Sequence, residues 1–92
     1  MNATNLTIDI DRLIRRLEEL GKVGGLEGGG SCRLALSDED RRGRDLVTGW
    51  MRELGLEVSI DAIGNVIAIR SGVDEGPPVM IGSHIDTVRT GG

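Results

Sequence analysis

The sequence contains no phenylalanine and no tyrosine, and Trp50 is its only aromatic residue. Large rings supply much of the buried area of a small core, so any core here is aliphatic and thin. Cysteine is almost absent as well: Cys32 stands alone, which excludes an internal disulfide and fits a reducing, cytoplasmic setting. No apolar run reaches the length of a membrane span or a secretory leader, so neither a membrane partner nor export is expected. Basic charge does not dominate either. With a net charge of −4, the chain lacks the surface that neutralises nucleic-acid phosphates. Arg15-Arg16 and Arg41-Arg42 fall among acids on expected helices and read as solvated faces.

What is abundant is glycine, with 15 residues in 92, and each adds unfolded-state entropy that folding must overcome. The apolar share of 38% is low beside the about 45–50% of ordinary globular chains. A chain of this size buries only roughly 60–65% of its unfolded surface. It reads as one domain at most, and more naturally as a piece of a larger fold.

Ile10, Leu13, Ile14, Leu17 and Leu20 recur at helical spacing, with Asp9 as N-cap and Gly21 as the residue past the end; a helix is predicted over 10–20. The stretch "GKVGGLEGGG" (21–30) holds six glycines. It lacks the Gly-Lys-Ser/Thr ending and the preceding strand of a phosphate-binding loop, and reads as a mobile connector. Ser37 opens a second helix: "SDED" supplies an N-cap hydroxyl, an acid at the capping-box position (Asp40) and negative charge at the positive end of the dipole. Asp38 with Arg42 and Asp40 with Arg44 are expected ion pairs four residues apart. Leu46, Val47, Trp50, Met51 and Leu54 form the apolar stripe, Gly55 ends the helix, and Gly43 and Gly49 inside it are candidate close-packing positions.

"LEVSID" alternates like a half-buried strand, and "VIAIR" is apolar on both faces like an interior one. "AIGN" between them, with Gly64 and Asn65 suited to positive φ, makes the pair a β-hairpin. "VMIGS" (79–83) reads as a further buried strand after a surface loop. The order α, α, β, β, β is that of an α/β fold, with functional residues expected at the C-terminal end of the last strand.

That end carries Ser83, His84 and Asp86, and His84 is the only histidine. A serine–histidine–acid triad is excluded, because neighbours in extended chain point to opposite faces. His84 and Asp86, two apart, share a face. If one ring nitrogen of His84 binds a metal, Asp86 can accept the other N–H and fix the tautomer. A histidine merely satisfied by a nearby carboxylate is the alternative that these two residues alone leave open, because a catalytic zinc takes about three protein ligands.

"GSHIDTVRTGG" (82–92) resembles the strand-to-loop signature of zinc-dependent amidohydrolases of the aminoacylase and carboxypeptidase-G-like peptidase family. "GGGSCRLALSDEDRR" (28–42), "LVTGWMRELGLEV" (46–58) and "DAIGN" (61–65) are similar to the branch of N-carbamoyl-L-amino acid hydrolases, allantoate amidohydrolases and β-ureidopropionases. The resemblance runs from about Ile10 to Gly92. It implies that His84 is a metal ligand and that Asp86 orients it and supports catalysis; substrate-binding residues are unknown. It also implies two divalent ions (Zn, or Mn, Ni or Co), a small N-carbamoyl or ureido substrate, hydrolysis of a linear amide or ureido C–N bond, and a homo-oligomer. Residues 1–92 then correspond to the N-terminal part of a mixed-sheet, metal-binding catalytic domain. The lid and dimerisation domain, the general-base glutamate and the other metal ligands are expected outside this stretch, so the chain alone is expected to be inactive. Cys32 and Arg89 depart mildly from the family pattern, which often has a small or hydroxylic residue and a proline there. Two other readings stay open: an acylase or peptidase of the same superfamily, and a non-enzymatic α/β module that binds a partner through its sheet edge.

Overall fold

The computed structural model describes residues 5–92; residues 1–4, part of the N-terminal stretch read above as no leader, lie outside the described residues. Helix α1 spans Ile10–Lys22, helix α2 Asp38–Glu53, strand β1 Glu57–Ile60 and strand β2 Val66–Ile69. The strands pair antiparallel, Glu57 opposite Ile69 and Ile60 opposite Val66. Two helices and a two-stranded hairpin make an α/β arrangement, as expected.

Both helix starts follow their caps. The Asp9 carboxylate accepts from the Arg12 amide at 3.1 Å, and the Ser37 hydroxyl accepts from the Asp40 amide at 3.1 Å. Asp40 itself reaches back one residue further than a capping box requires. Its carboxylate accepts from the Leu36 amide at 3.0 Å, which holds Leu36 at φ 67, a conformation uncommon for a branched side chain.

Helix α1 outruns its expected end at Leu20 and carries Gly21 inside it. The reason lies downstream in the chain. A helix leaves its last carbonyls without intrahelical partners. Here the Ser31 hydroxyl donates to Gly21 O at 2.8 Å, and Arg33 Nη1 donates to Leu20 O at 3.0 Å and Val23 O at 2.6 Å. Left-handed glycine enters later, at Gly24 (φ 76), where an added Cβ would collide with the Cys32 carbonyl.

The glycine-rich stretch is a hydrogen-bonded loop rather than a structureless connector. Leu26 N bonds Gly30 O at 2.9 Å, Gly29 N bonds Leu26 O at 3.1 Å, and Cys32 N bonds Gly24 O at 2.8 Å. The loop's end then meets the chain's end, where Ser31 and Gly91 exchange two backbone bonds of 2.7 and 2.9 Å.

The expected ion pairs within α2 do not form. Arg44 turns away from Asp40 to donate to Gly64 O in the hairpin turn, and the α2 ion pair found among the described residues joins Arg42 to Glu39 at 3.6 Å. Arg16 of α1 lies over the Trp50 ring of α2, 5.5 Å from its centroid, in place of pointing to water. Of the two glycines in α2, Gly43 is a close-packing position and Gly49 is not. A Cβ on Gly43 would lie 2.8 Å from Arg33 Cδ, whereas one on Gly49 would meet nothing within 4 Å.

The hairpin turn is built by Asp61. Its carboxylate accepts from the amides of Ile63 (3.1 Å) and Asn65 (2.8 Å) and from the Asn65 side chain (2.8 Å). Gly64 takes positive φ (94°), and Asn65 does not.

The further strand expected at 79–83 is not paired. Val79, Met80 and Ile81 are 86–96% exposed, and no described strand offers them a backbone ladder. Their apolar pattern is that of an interior strand, but a strand needs partners on its edges, and the hairpin supplies none to it. No apolar side chain is buried among the described residues; the buried polar ones are Arg33, Asp40 and Thr48. The chain exposes 7908 Å², against about 5,200 Å² for a compact monomer of its size.

Candidate metal-ligand site

The segment Ser83–Thr87 leaves the exposed apolar stretch and runs back along α2. Three hydrogen bonds with Arg33 hold it there. Arg33 Nε donates to Ile85 O at 2.8 Å, the Thr87 hydroxyl accepts from Arg33 N at 2.8 Å, and Thr87 N donates to Arg33 O at 2.7 Å. The tie therefore falls on both sides of Asp86.

His84 and Asp86 are brought together. His84 Nδ1 lies 3.0 Å from the Asp86 carbonyl oxygen and 3.1 Å from Asp86 Oδ1. A carbonyl oxygen and an ionised carboxylate can only accept, so Nδ1 carries the proton and donates to both. In the neutral imidazole, Nε2 is then the nitrogen that keeps its lone pair, on the side of the ring away from Asp86. The His84 side chain is 78% exposed, so that lone pair is open to a ligand. Ser83 makes no hydrogen bond to His84 among the described residues, in keeping with the exclusion of a triad.

A cavity of about 260 Å³ lies beside this pair, walled by Arg44, Thr48 and Met51 of α2, by Gly64 and Asn65 of the hairpin turn, and by Ser83–Asp86. Arg44 and the turn are locked together by the bond to Gly64 O, so this wall is a single polar unit. Asp61, at the start of the turn, has its carboxyl held below the ordinary carboxylate range, first by the Asn65 side-chain amide and then by backbone amides.

The donor chemistry fits one ligand of a metal centre: an imidazole with one nitrogen anchored by a carboxylate and the other, in its neutral form, able to bind a cation. No cluster of three or more His, Cys, Asp or Glu side chains capable of holding an ion occurs among the described residues. Cys32, half-buried and free, lies in the glycine loop and not at this site.

Sequence reasoning missed Arg33. A signal was present: it is the only basic residue between Lys22 and Arg41, stands outside any helix, and comes three residues after the glycine-rich stretch 21–30.

No family model matches the chain. It is similar to the "N-carbamoyl-L-amino-acid amidohydrolase" of Pseudomonas sp. (strain NS671), 50% identical over 95% of this chain and 21% of the relative. It is also similar to the "N-carbamoyl-L-amino acid amidohydrolase" of Geobacillus stearothermophilus, 47% identical over 89% of this chain and 20% of the relative. "Allantoate deiminase 1" of Glycine max is 39% identical over 85% of this chain and 16% of its own length. Among solved structures, a hydantoinase/carbamoylase family amidase from Burkholderia ambifaria superposes with a TM-score of 0.91 at 51% identity, covering 95% of this chain and 22% of that one. The chain thus spans about a fifth of the length of the relatives it matches. No described helix is long and apolar enough to cross a membrane.

Proposed function

We propose that this stretch, matched along nearly all its length by N-carbamoyl-amino acid amidohydrolases and allantoate deiminases, works as the N-terminal part of the metal-binding catalytic domain of such an enzyme. The intact protein then hydrolyses the C–N bond of a small N-carbamoyl or ureido substrate, as a cytoplasmic homo-oligomer whose lid domain lies outside these residues. The single free Cys32 supports a reducing compartment. The open apolar face of α1 supports burial against further protein.

One observation carries the reading. His84 Nδ1 is held at Asp86 and the side chain is largely exposed, so in the neutral ring Nε2 is the nitrogen available to a ligand. His84 would hold one of two divalent ions, zinc or a similar metal, through Nε2. When bound, those ions supply Lewis acidity that polarises the substrate carbonyl and acidifies water. Asp86 fixes the imidazole tautomer and raises its basicity. It also holds the proton of Nδ1 at a defined place, so the ring neither flips nor presents an N–H to the cation. The wall formed by Arg44, Gly64 and Asn65 gives the adjoining cavity a polar side.

The test is an assay of a protein extended to the relatives' length, with added Zn²⁺, Mn²⁺ or Ni²⁺, on N-carbamoyl amino acids, allantoate and N-acetyl amino acids. Metal-dependent turnover of the ureido substrates is expected. Turnover of N-acetyl amino acids alone would move the protein to the acylase side of the superfamily. No turnover of any of them would remove the proposal.

A further inference from the structure

Arg33 is 5% exposed, and no carboxylate among the described residues pairs with it. A buried guanidinium without an anion is costly unless dipoles compensate it. Here the compensation is the C-terminal end of α1, where Leu20 O and Val23 O receive Nη1 and the negative end of the helix dipole faces the charge. Nε faces the other way and donates to Ile85 O, the carbonyl of the peptide that joins Ile85 to Asp86. The Arg33 backbone adds its two bonds to Thr87. The slot for the side chain exists because Gly43 of α2 has no Cβ: one placed there would lie 2.8 Å from Arg33 Cδ, 3.3 Å from Nε and 3.4 Å from Ile85 Cδ1.

We propose that Arg33 is a positioning residue for the proposed metal ligand. It bolts the Ile85–Thr87 backbone to the end of α1, so that the Asp86 carbonyl and carboxylate stand where they receive His84 Nδ1–H. The inference rests on the functional reading above for its metal, but its geometry is independent of it. A lysine in place of Arg33 retains the charge and can bond the α1 carbonyls. It lacks the fork that reaches Leu20 O, Val23 O and Ile85 O at once. The helix end would stay capped while the peptide before Asp86 came loose.

The experiment compares wild type, Arg33→Lys, Gly43→Ala and, as a control, Arg42→Ala in the protein extended to the relatives' length. Hydrogen exchange is read on the peptide covering 83–88, Zn²⁺ affinity by chelator competition, and kcat and KM separately. Arg33→Lys is expected to speed exchange in 83–88 more than in α2 and to weaken Zn²⁺ binding about 10–100-fold, as loss of an orienting partner does. Its kcat should fall with KM little changed, and Arg42→Ala should match wild type throughout. Gly43→Ala, which displaces the arginine and keeps its chemistry, should shift the same readouts in the same direction and serves if Arg33→Lys does not fold. Unchanged exchange at 83–88 together with wild-type Zn²⁺ affinity in a folded variant overturns the role. A wild-type protein that binds no Zn²⁺ and turns over nothing overturns the functional reading; exchange at 83–88 still decides whether Arg33 holds the segment.

Discussion

Two regions of this molecule are held in opposite ways. Around Arg33, the end of α1, the glycine loop and residues 85–91 are joined by a dense set of polar bonds, and the buried side chains there and in α2 are polar. Along α1, by contrast, Ile10, Leu13, Ile14 and Leu17 form a regular apolar stripe that is 41–58% exposed, and Val79–Ile81 are more exposed still. Hydrogen bonds are directional and are satisfied one partner at a time, wherever the fold brings a donor to an acceptor. Hydrophobic burial is non-directional and needs a second surface. The polar bonds are thus made within these residues, while the apolar faces meet no second surface among the described residues.

The largest expected effect is on the polar side. Arg33→Met keeps the stem but leaves Leu20 O, Val23 O and Ile85 O without their donor, at about 1–3 kcal/mol for each acceptor that stays buried and unpaired. Denaturant unfolding of the extended protein should show a loss of several kcal/mol; a change within about 0.5 kcal/mol, the level of an ordinary surface substitution, would mean the network is ornamental.

The two helix glycines give the next contrast. Gly43→Ala should destabilise by about 1–3 kcal/mol through overpacking against Arg33, more than its gain in helix propensity. Gly49→Ala meets open space and should stabilise by up to about 1 kcal/mol. Equal effects at both positions would contradict the packing described here.

On the apolar side, Leu17→Glu should scarcely change the stability of the isolated chain, because Leu17 is already 58% exposed. It should instead reduce self-association, measured by light scattering at high concentration. A wild-type chain that stays monomeric there, with a cooperative and high melting transition, would show that the exposed stripe needs no cover.

The smallest effect concerns pH. The folded Asp61 carboxyl is held below its usual value by Asn65 and the turn amides. Its ionised form therefore favours the hairpin, a contribution fully present above about pH 4 and lost as pH falls through the lowered value. Amide exchange across 57–69 should rise on that acid limb, and Asp61→Asn should flatten the dependence.

How much of this was legible in the sequence follows a different division, the separation of the partners along the chain. The Asp9 and Ser37 caps and the existence of a turn at 62–65 were readable because their partners lie within four residues, whereas the part Asp61 plays in that turn was not read. The continuation of α1 past Leu20 was not, because the caps come from Ser31 and Arg33, ten or more residues away. The Asp40–Arg44 pair failed for a related reason: each side chain had a better backbone partner, Leu36 N and Gly64 O, outside the helix. The strand expected at 79–83 carried the right apolar pattern, but pairing depends on neighbours that a pattern does not contain. That His84 and Asp86 meet was legible because they stand two residues apart; the tie from Arg33 to Ile85, 52 residues away, was not.

The most direct test of the central claim, that His84 Nε2 presented by Asp86 is a metal ligand, is metal content and turnover of the extended protein with His84→Ala and Asp86→Asn. The account predicts that His84→Ala loses bound metal and nearly all metal-dependent hydrolysis of ureido substrate. Asp86→Asn, which changes the partner of Nδ1 without removing the ligand, should lose roughly 10–100-fold in metal affinity or activity while remaining folded. A His84→Ala protein that keeps its full metal complement and wild-type turnover would contradict it.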